Sequence, residues 1–168
     1  MKRPKDTDRR IISELIKNAK LSDRQISRKL GVSQPTVTRR RTLLEKQLIE
    51  GYTLVPKWDK FGYEIFAITL VKSKPSLSTK EQYEAVRKRG TEWLMKQPNV
   101  IMGGGCRGAG ANSFMISLHK NYSEYDEFMY QYRREWGDAI DDVQPILVNL
   151  VGRELLKPLN LKYLAETT

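Results

Sequence analysis

One cysteine and one histidine in 168 residues leave little room for thiol or imidazole chemistry. Cys106 has no partner for an internal disulfide, a usage that suits a reducing cytoplasm. With a single His it cannot complete a conventional structural zinc site, so no metal is expected. Cys106 and His119 fall at the start and end of a hairpin, which opposes a nucleophile–base pair. His119 reads as exposed and Cys106 as partly buried. No apolar run approaches the ~20 residues of a membrane span. The polar start Met1-Lys2-Arg3-Pro4-Lys5-Asp6 is not a signal peptide. A basic amphipathic helix with an exposed aromatic face, which would suit a membrane surface, is also missing. Gly103 to Gly108 matches G-x-G-x-x-G, but a strand follows it and no Walker Lys-Ser/Thr pair is present. That favours a flexible hairpin connection over a nucleotide loop. Asp141-Asp142 reads as a turn rather than a metal pair. No cofactor is implied and no catalytic residues are assigned.

What the chain does have is positive charge in one place. Its formal net charge is +10. Residues 1–60 hold 16 Lys/Arg against 7 Asp/Glu, and residues 61–168 hold 14 against 13. A basic third joined to a nearly neutral remainder implies a polyanion-binding module fused to something else.

The basic third reads as three helices. Residues 6–18 carry the stripe Ile11, Ile12, Leu15 and Ile16, with Asp6 or Asp8 at the start. Ser22-Asp23-Arg24-Gln25 is a capping box opening a second helix, with Ile26 and Leu30 inward and Gly31 suited to a left-handed end. Ser33 caps a third helix through Glu45, in which Pro35 is tolerated near the start. On the wheel Val37 and Leu44 share one side, while Pro35, Thr38, Arg39 and Thr42 fall on or near the other, flanked by Gln34 and Thr36. This is the spacing of a helix-turn-helix whose third helix enters the major groove of double-stranded DNA. Arg41 shares the face of Val37 and Leu44; its stem is expected along the core edge, its guanidinium near a phosphate or the second domain.

Leu48 to Pro56 reads as a short strand, or wing, and Pro56 to Gly62 as linker, with the domain boundary near Trp58. The expected domains are residues 1–58 and 59–168. From Tyr63 the pattern is βαββαβ: a strand over Glu64–Lys72, then a capping box Ser78-Thr79-Lys80-Glu81 opening a helix that ends by Pro98. A strand from Val100, a glycine-rich connection and a strand over Ser113–His119 follow. Next come a helix capped by Ser123 and a last strand over Gln144–Val151, with Pro158 limiting what comes after. The fold class is therefore α+β, a helix-turn-helix domain followed by a ferredoxin-like antiparallel sheet with both helices on one face. That sheet is apolar on both sides: Phe66, Ile68 and Leu70 against Ile65, Ala67 and Val71 in the first strand, with the same doubling in the last. One set of helices covers one face, so a second subunit is the expected cover for the other.

Taken together, these residues resemble the Lrp/AsnC (feast/famine) transcription regulators of bacteria and archaea. The likeness runs through Asp8–Leu15, Leu21–Ser33, Val37–Arg40, Leu44-Glu45, Ile49–Tyr52 and the βαββαβ (RAM-type) pattern. It implies a homodimer built through the second domain, often assembled into tetramers or octamers, on pseudo-palindromic promoter DNA. It also implies amino-acid sensing at clefts between sensor domains. One departure bears on that sensing. The family usually carries Gly-x-x-Asp in the turn between the second and third strands. Here Gly103–Asn112 holds no carboxylate, so a ligand ammonium would lack its usual partner.

Base contacts are expected from Gln34, Thr36, Thr38 and Arg39. Phosphate contacts are expected from Ser22, Arg24, Arg28, Ser33, Arg40 and Arg41, with Lys2, Arg3 and Lys5 beside them. An amino-acid-like effector, if bound, is expected at Gly105, Arg107, Gly108, Gly110 and Asn112. The expected location is the cytoplasm, on the nucleoid. An architectural DNA-binding protein of low sequence preference stays open as the alternative. So does a small-molecule or catalytic domain with a basic appendage.

Overall fold

The computed structural model describes residues 5–74, 79–152, 155–157 and 159–165. It divides into two compact units: the chain up to Val55 together with the C-terminal segment, and Pro56–Lys157. The second boundary differs from the expected 59–168, because the last segment returns to the first helix.

In the N-terminal unit α1 spans Asp6–Lys17, α2 Asp23–Leu30 and α3 Gln34–Gln47. The caps explain the turns between them. Ser22 and Gln25 form the reciprocal capping box, the Ser22 hydroxyl accepting from the Gln25 amide at 3.3 Å. Gly31 ends α2 at φ 67°, a left-handed conformation that a side chain would strain. Ser33 stands at the N-cap of α3, although its hydroxyl pairs with Thr36 Oγ1 at 2.8 Å rather than capping a backbone amide. Ile11, Leu15, Leu21, Ile26, Val37 and Leu44 form the core. A short 3₁₀ turn, Leu161–Ala165, lies against α1, where the Ser13 hydroxyl donates to the Ala165 carbonyl at 3.1 Å. The expected wing does not form: residues 49–57 have no regular structure. A strand needs a neighbour to receive its amides, and no strand occurs among the described residues of this unit.

The second unit is a four-stranded antiparallel sheet of order β2-β3-β1-β4, the ferredoxin-like arrangement. Its strands are β1 Ile65–Ser73, β2 Val100–Gly108, β3 Ala111–His119 and β4 Ile140–Asn149. The helices are α4 Lys80–Leu94 and α5 Tyr122–Trp136. Four expectations about its local structure need correction. Thr79, not Ser78, caps α4, with Gln82 as its reciprocal partner; Ser78 lies outside the described residues. Asn121, not Ser123, caps α5. Asp141 and Asp142 lie within β4 rather than in a turn. The glycine-rich stretch is mostly strand, because β3 supplies partners for Gly103, Gly104 and Gly105. The connection shrinks to Ala109-Gly110, both at positive φ (49° and 72°), a two-residue hairpin loop of the primed kind.

One face of the sheet packs on the helices. Ala67, Val71 and Met115 join Tyr125, Met129, Tyr132 and Trp136 in its core. The opposite face carries Phe66, Ile68 and Leu70, with Ile116 and Ile146 flanking Ile68 in register. Ile146 is 51% exposed and Met102 56%, so this unit alone leaves apolar surface in water.

His119, expected at the surface, is fully buried. Nε2 pairs with Ser117 Oγ at 2.8 Å, and the ring packs on Tyr125 and Phe128 from α5. Burial pushes its pKa below the ordinary 6.5, against a weaker opposing pull from Glu124. The unfolded chain therefore takes up the proton first. This part of the stability is complete above about pH 6.5 and declines as pH falls toward the folded value. Denaturant midpoints between pH 7.5 and 5 should fall for the wild type and flatten in His119→Gln. Equal slopes in both proteins would reject the assignment.

Candidate nucleic-acid interface

The outer surface of α2 and α3 brings together most of the residues expected to meet DNA. Gln34, Thr38 and Arg39 are exposed on α3 and Thr36 is half-buried at its start. Arg24 and Arg28 are exposed on α2. Among the described residues no ion pair engages Arg24, Arg28 or Arg39, so three cations point to solvent from two adjacent helices. The Thr38 hydroxyl donates to Asp23 Oδ2 at 2.7 Å, which orients it without burying it. Ser22 sits at the N-terminus of α2, where free backbone amides favour an anion.

Two expected phosphate contacts lie elsewhere. Arg40 grips Asp8 with two nitrogens, its Nε standing 2.6 Å from Oδ1 and a terminal nitrogen bonded to Oδ2. Asp8 is a buried acid, and the hydrogen bond from Arg40 holds its carboxyl below the ordinary value. Arg41 donates to the Leu21 carbonyl at 3.1 Å, to Asp23 at 3.2 Å and to Glu45 at 3.0 Å. Its guanidinium also lies over the Tyr52 ring, and the Tyr52 hydroxyl donates to Glu45 at 2.8 Å. Both arginines therefore stitch the helices together. The core-face position of Arg41 is explained by these partners, not by a phosphate or the second domain. No local pattern points to the acid that holds Arg40, since Asp8 and Arg40 are 32 residues apart. Lys29 is engaged too, at 2.6 Å from Glu14, which also holds Lys17 at 3.3 Å. Lys2 and Arg3 lie outside the described residues, and Lys5 precedes α1.

Of the residues expected at an effector, Gly105 and Asn112 line one cavity of the sheet unit, whereas Arg107, Gly108 and Gly110 do not. Gly105 and Arg107 lie along β2, Gly108 closes the ladder against Ala111, and Gly110 is in the hairpin loop. Asn112 Oδ1 accepts from the Ser73 amide at 3.2 Å and from its hydroxyl at 3.1 Å. No group of three His, Cys, Asp or Glu able to hold a metal ion occurs among the described residues. No helix among them is long and apolar enough to cross a membrane.

Residues 6–45, which contain α1, α2 and nearly all of α3, match the AsnC-type helix-turn-helix domain. LrpA of Pyrococcus horikoshii is 38% identical over 71 residues, 42% of this chain and 50% of that protein. Residues 6–45 are therefore an AsnC-type helix-turn-helix domain. An uncharacterized HTH-type transcriptional regulator of Pyrococcus furiosus is 40% identical over 70 residues, 41% of this chain and 47% of that protein. The sequence match thus spans about half the length of these relatives. Similarity of fold extends further. The transcriptional regulator NMB0573 of Neisseria meningitidis, solved as its L-Met complex, superposes with a TM-score of 0.76 at 18% identity. That superposition covers 96% of this chain and 99% of the Neisseria protein.

Proposed function

We propose that this chain is a sequence-specific DNA-binding transcriptional regulator of the Lrp/AsnC type that acts as a homodimer or higher oligomer. The observation that carries the proposal is the exposed α2–α3 surface, where three arginines that form no ion pair among the described residues stand beside short hydrogen-bonding side chains. Gln34, Thr36, Thr38 and Arg39 read base edges in the major groove. Ser22, Ser33, Arg24 and Arg28 hold phosphates and set the register. Arg40 and Arg41 act one step back, by fixing α3 against α1 and α2. Two copies related by a dyad would read half-sites about one helical turn apart or a multiple of it. The apolar sheet face beneath Phe66 and Ile68 supports pairing of two copies, and sedimentation should find no monomer at micromolar concentration. An amino-acid-like effector at the β2–β3 hairpin would act by shifting the placement of the DNA-binding units.

Arg39→Ala should cost ~1–3 kcal/mol on the cognate operator and relax base preference at its contact. Arg28→Ala should weaken cognate and random DNA alike and lower the salt slope by about 1. Fluorescence anisotropy across a salt series separates the two effects. Equal losses on both DNAs for both variants would instead favour an architectural role with little sequence preference.

A further inference from the structure

Helix α4 stands off the sheet that it covers. None of its residues is fully buried, although Val86, Trp93 and Leu94 touch the core. Beneath it lies a cavity of about 490 Å³, within the ~300–1,000 Å³ common for small-molecule sites. Its floor is β2 where Gly103, Gly104 and Gly105 carry no side chains. At Gly103 the absence is needed for packing, since a Cβ there would stand 2.9 Å from Leu94 Cδ1. At Gly105 it leaves open space, the nearest atom to such a Cβ being the Asn112 carbonyl at 3.8 Å.

The walls are aromatic. The Trp93 ring lies 5.2 Å from that of Tyr132 and 6.3 Å from that of Trp136. The Trp136 indole N–H is buried and finds no acceptor among the described residues. Among the described residues Arg87 is the one ionised residue on the lining, and no Asp or Glu of theirs joins it. Its ion pair with Glu84 is long, at 3.8 Å, and exposed on both sides, so the guanidinium is open to a better acid.

We infer that this cavity binds a small aromatic carboxylate that lacks an ammonium group. The ring enters among Trp93, Tyr132 and Trp136, where offset and edge-on contacts are favourable. The carboxylate meets Arg87 at the mouth, a charge-assisted pairing. An amino acid would bring a cation to a lining with no anion, and Asn112 Oδ1 already accepts two hydrogen bonds from Ser73. The site differs from the hairpin end, because Arg107, Gly108 and Gly110 do not line it. It belongs wholly to the sheet unit, so it stands or falls separately from DNA binding.

Calorimetric titration of the full chain with 2-naphthoate and with its neutral methyl ester tests the inference. Saturable 1:1 binding of both is expected. Arg87→Gln should weaken naphthoate by about tenfold or more, the usual worth of a charged hydrogen bond, while leaving the ester unchanged. Gly105→Val projects a β-branched side chain from the floor into the space the ring would occupy, so it should weaken both about tenfold or more. Should its melting curve show a damaged fold, Val86→Phe narrows the same space from the helix and must also weaken both. No saturable heat with naphthoate at millimolar concentration would overturn the site. Unchanged binding in a filled variant that folds would do the same. Undiminished naphthoate affinity in Arg87→Gln would overturn the carboxylate.

Discussion

Arg40→Ala should unfold the N-terminal unit rather than trim a DNA contact. The substitution leaves the Asp8 carboxylate buried with its strongest partner gone. Removing one half of such a pair leaves an uncompensated charge on the buried Asp8, the costlier way to break it. The margin is small, because the apolar core of this unit numbers six buried side chains among the described residues. Amide exchange in α1 to α3 should accelerate toward that of the unfolded chain. Arg39→Ala, at an exposed position, should stay within about 0.5 kcal/mol of wild type. The pH dependence gives a second check. The folded pKa of Asp8 lies below its ordinary 3.8, so the pair stabilises at and above that pH and is lost as pH falls through the folded value. Arg40→Ala should lose this acid-sensitive portion. If Arg40→Ala melts like wild type yet loses DNA affinity, Arg40 belongs to the interface after all.

Trp136→Ala should produce the largest loss in the sheet unit. The residue is buried in its core, beside Tyr132 and Trp93. Truncating a buried aromatic costs ~3–5 kcal/mol through lost burial and the void left behind. The Arg89 guanidinium lies 4.4 Å above the ring and is held there by Asp138 at 2.9 Å. That stacking adds ~0.5–1 kcal/mol at an exposed site. Denaturant titration should therefore rank Trp136→Ala well below Arg89→Ala, with Trp136→Phe between them. A Trp136→Ala protein within 1 kcal/mol of wild type would mean that the core closes over the gap.

What could be read from the chain was what its neighbours in sequence decide. The Ser22–Gln25 box and the left-handed Gly31 are local transactions, complete within a few residues, and both stand as expected. The cap of α4 was misplaced by one residue because Ser78 and Thr79 are both capping types and only the backbone chooses between them. Errors grew where distant residues decide. Gly103 to Gly108 look like loop until β3 lies beside them and takes up their amides. Conversely, Leu48 to Pro56 look like strand and stay irregular for want of a neighbour. His119 sits at a strand end, and only α5 makes that place an interior. The exposure of Gln34, Thr38 and Arg39 on α3 follows from a helical wheel. That Arg40 and Arg41, expected at phosphates, are engaged within the unit follows from Asp8 and Asp23, which no local pattern links to them.

The return of Leu161–Ala165 to α1 makes that helix wait for a turn synthesised well over a hundred residues later. While a ribosome is still making the sheet, α1 to α3 lack one of their own contacts, and the sheet is spliced into their body as an insertion. A fragment ending at residue 58 therefore omits part of the unit it is meant to isolate. Circular permutation that joins the two ends and opens the chain at Val55/Pro56 would turn the interrupted body into one continuous stretch.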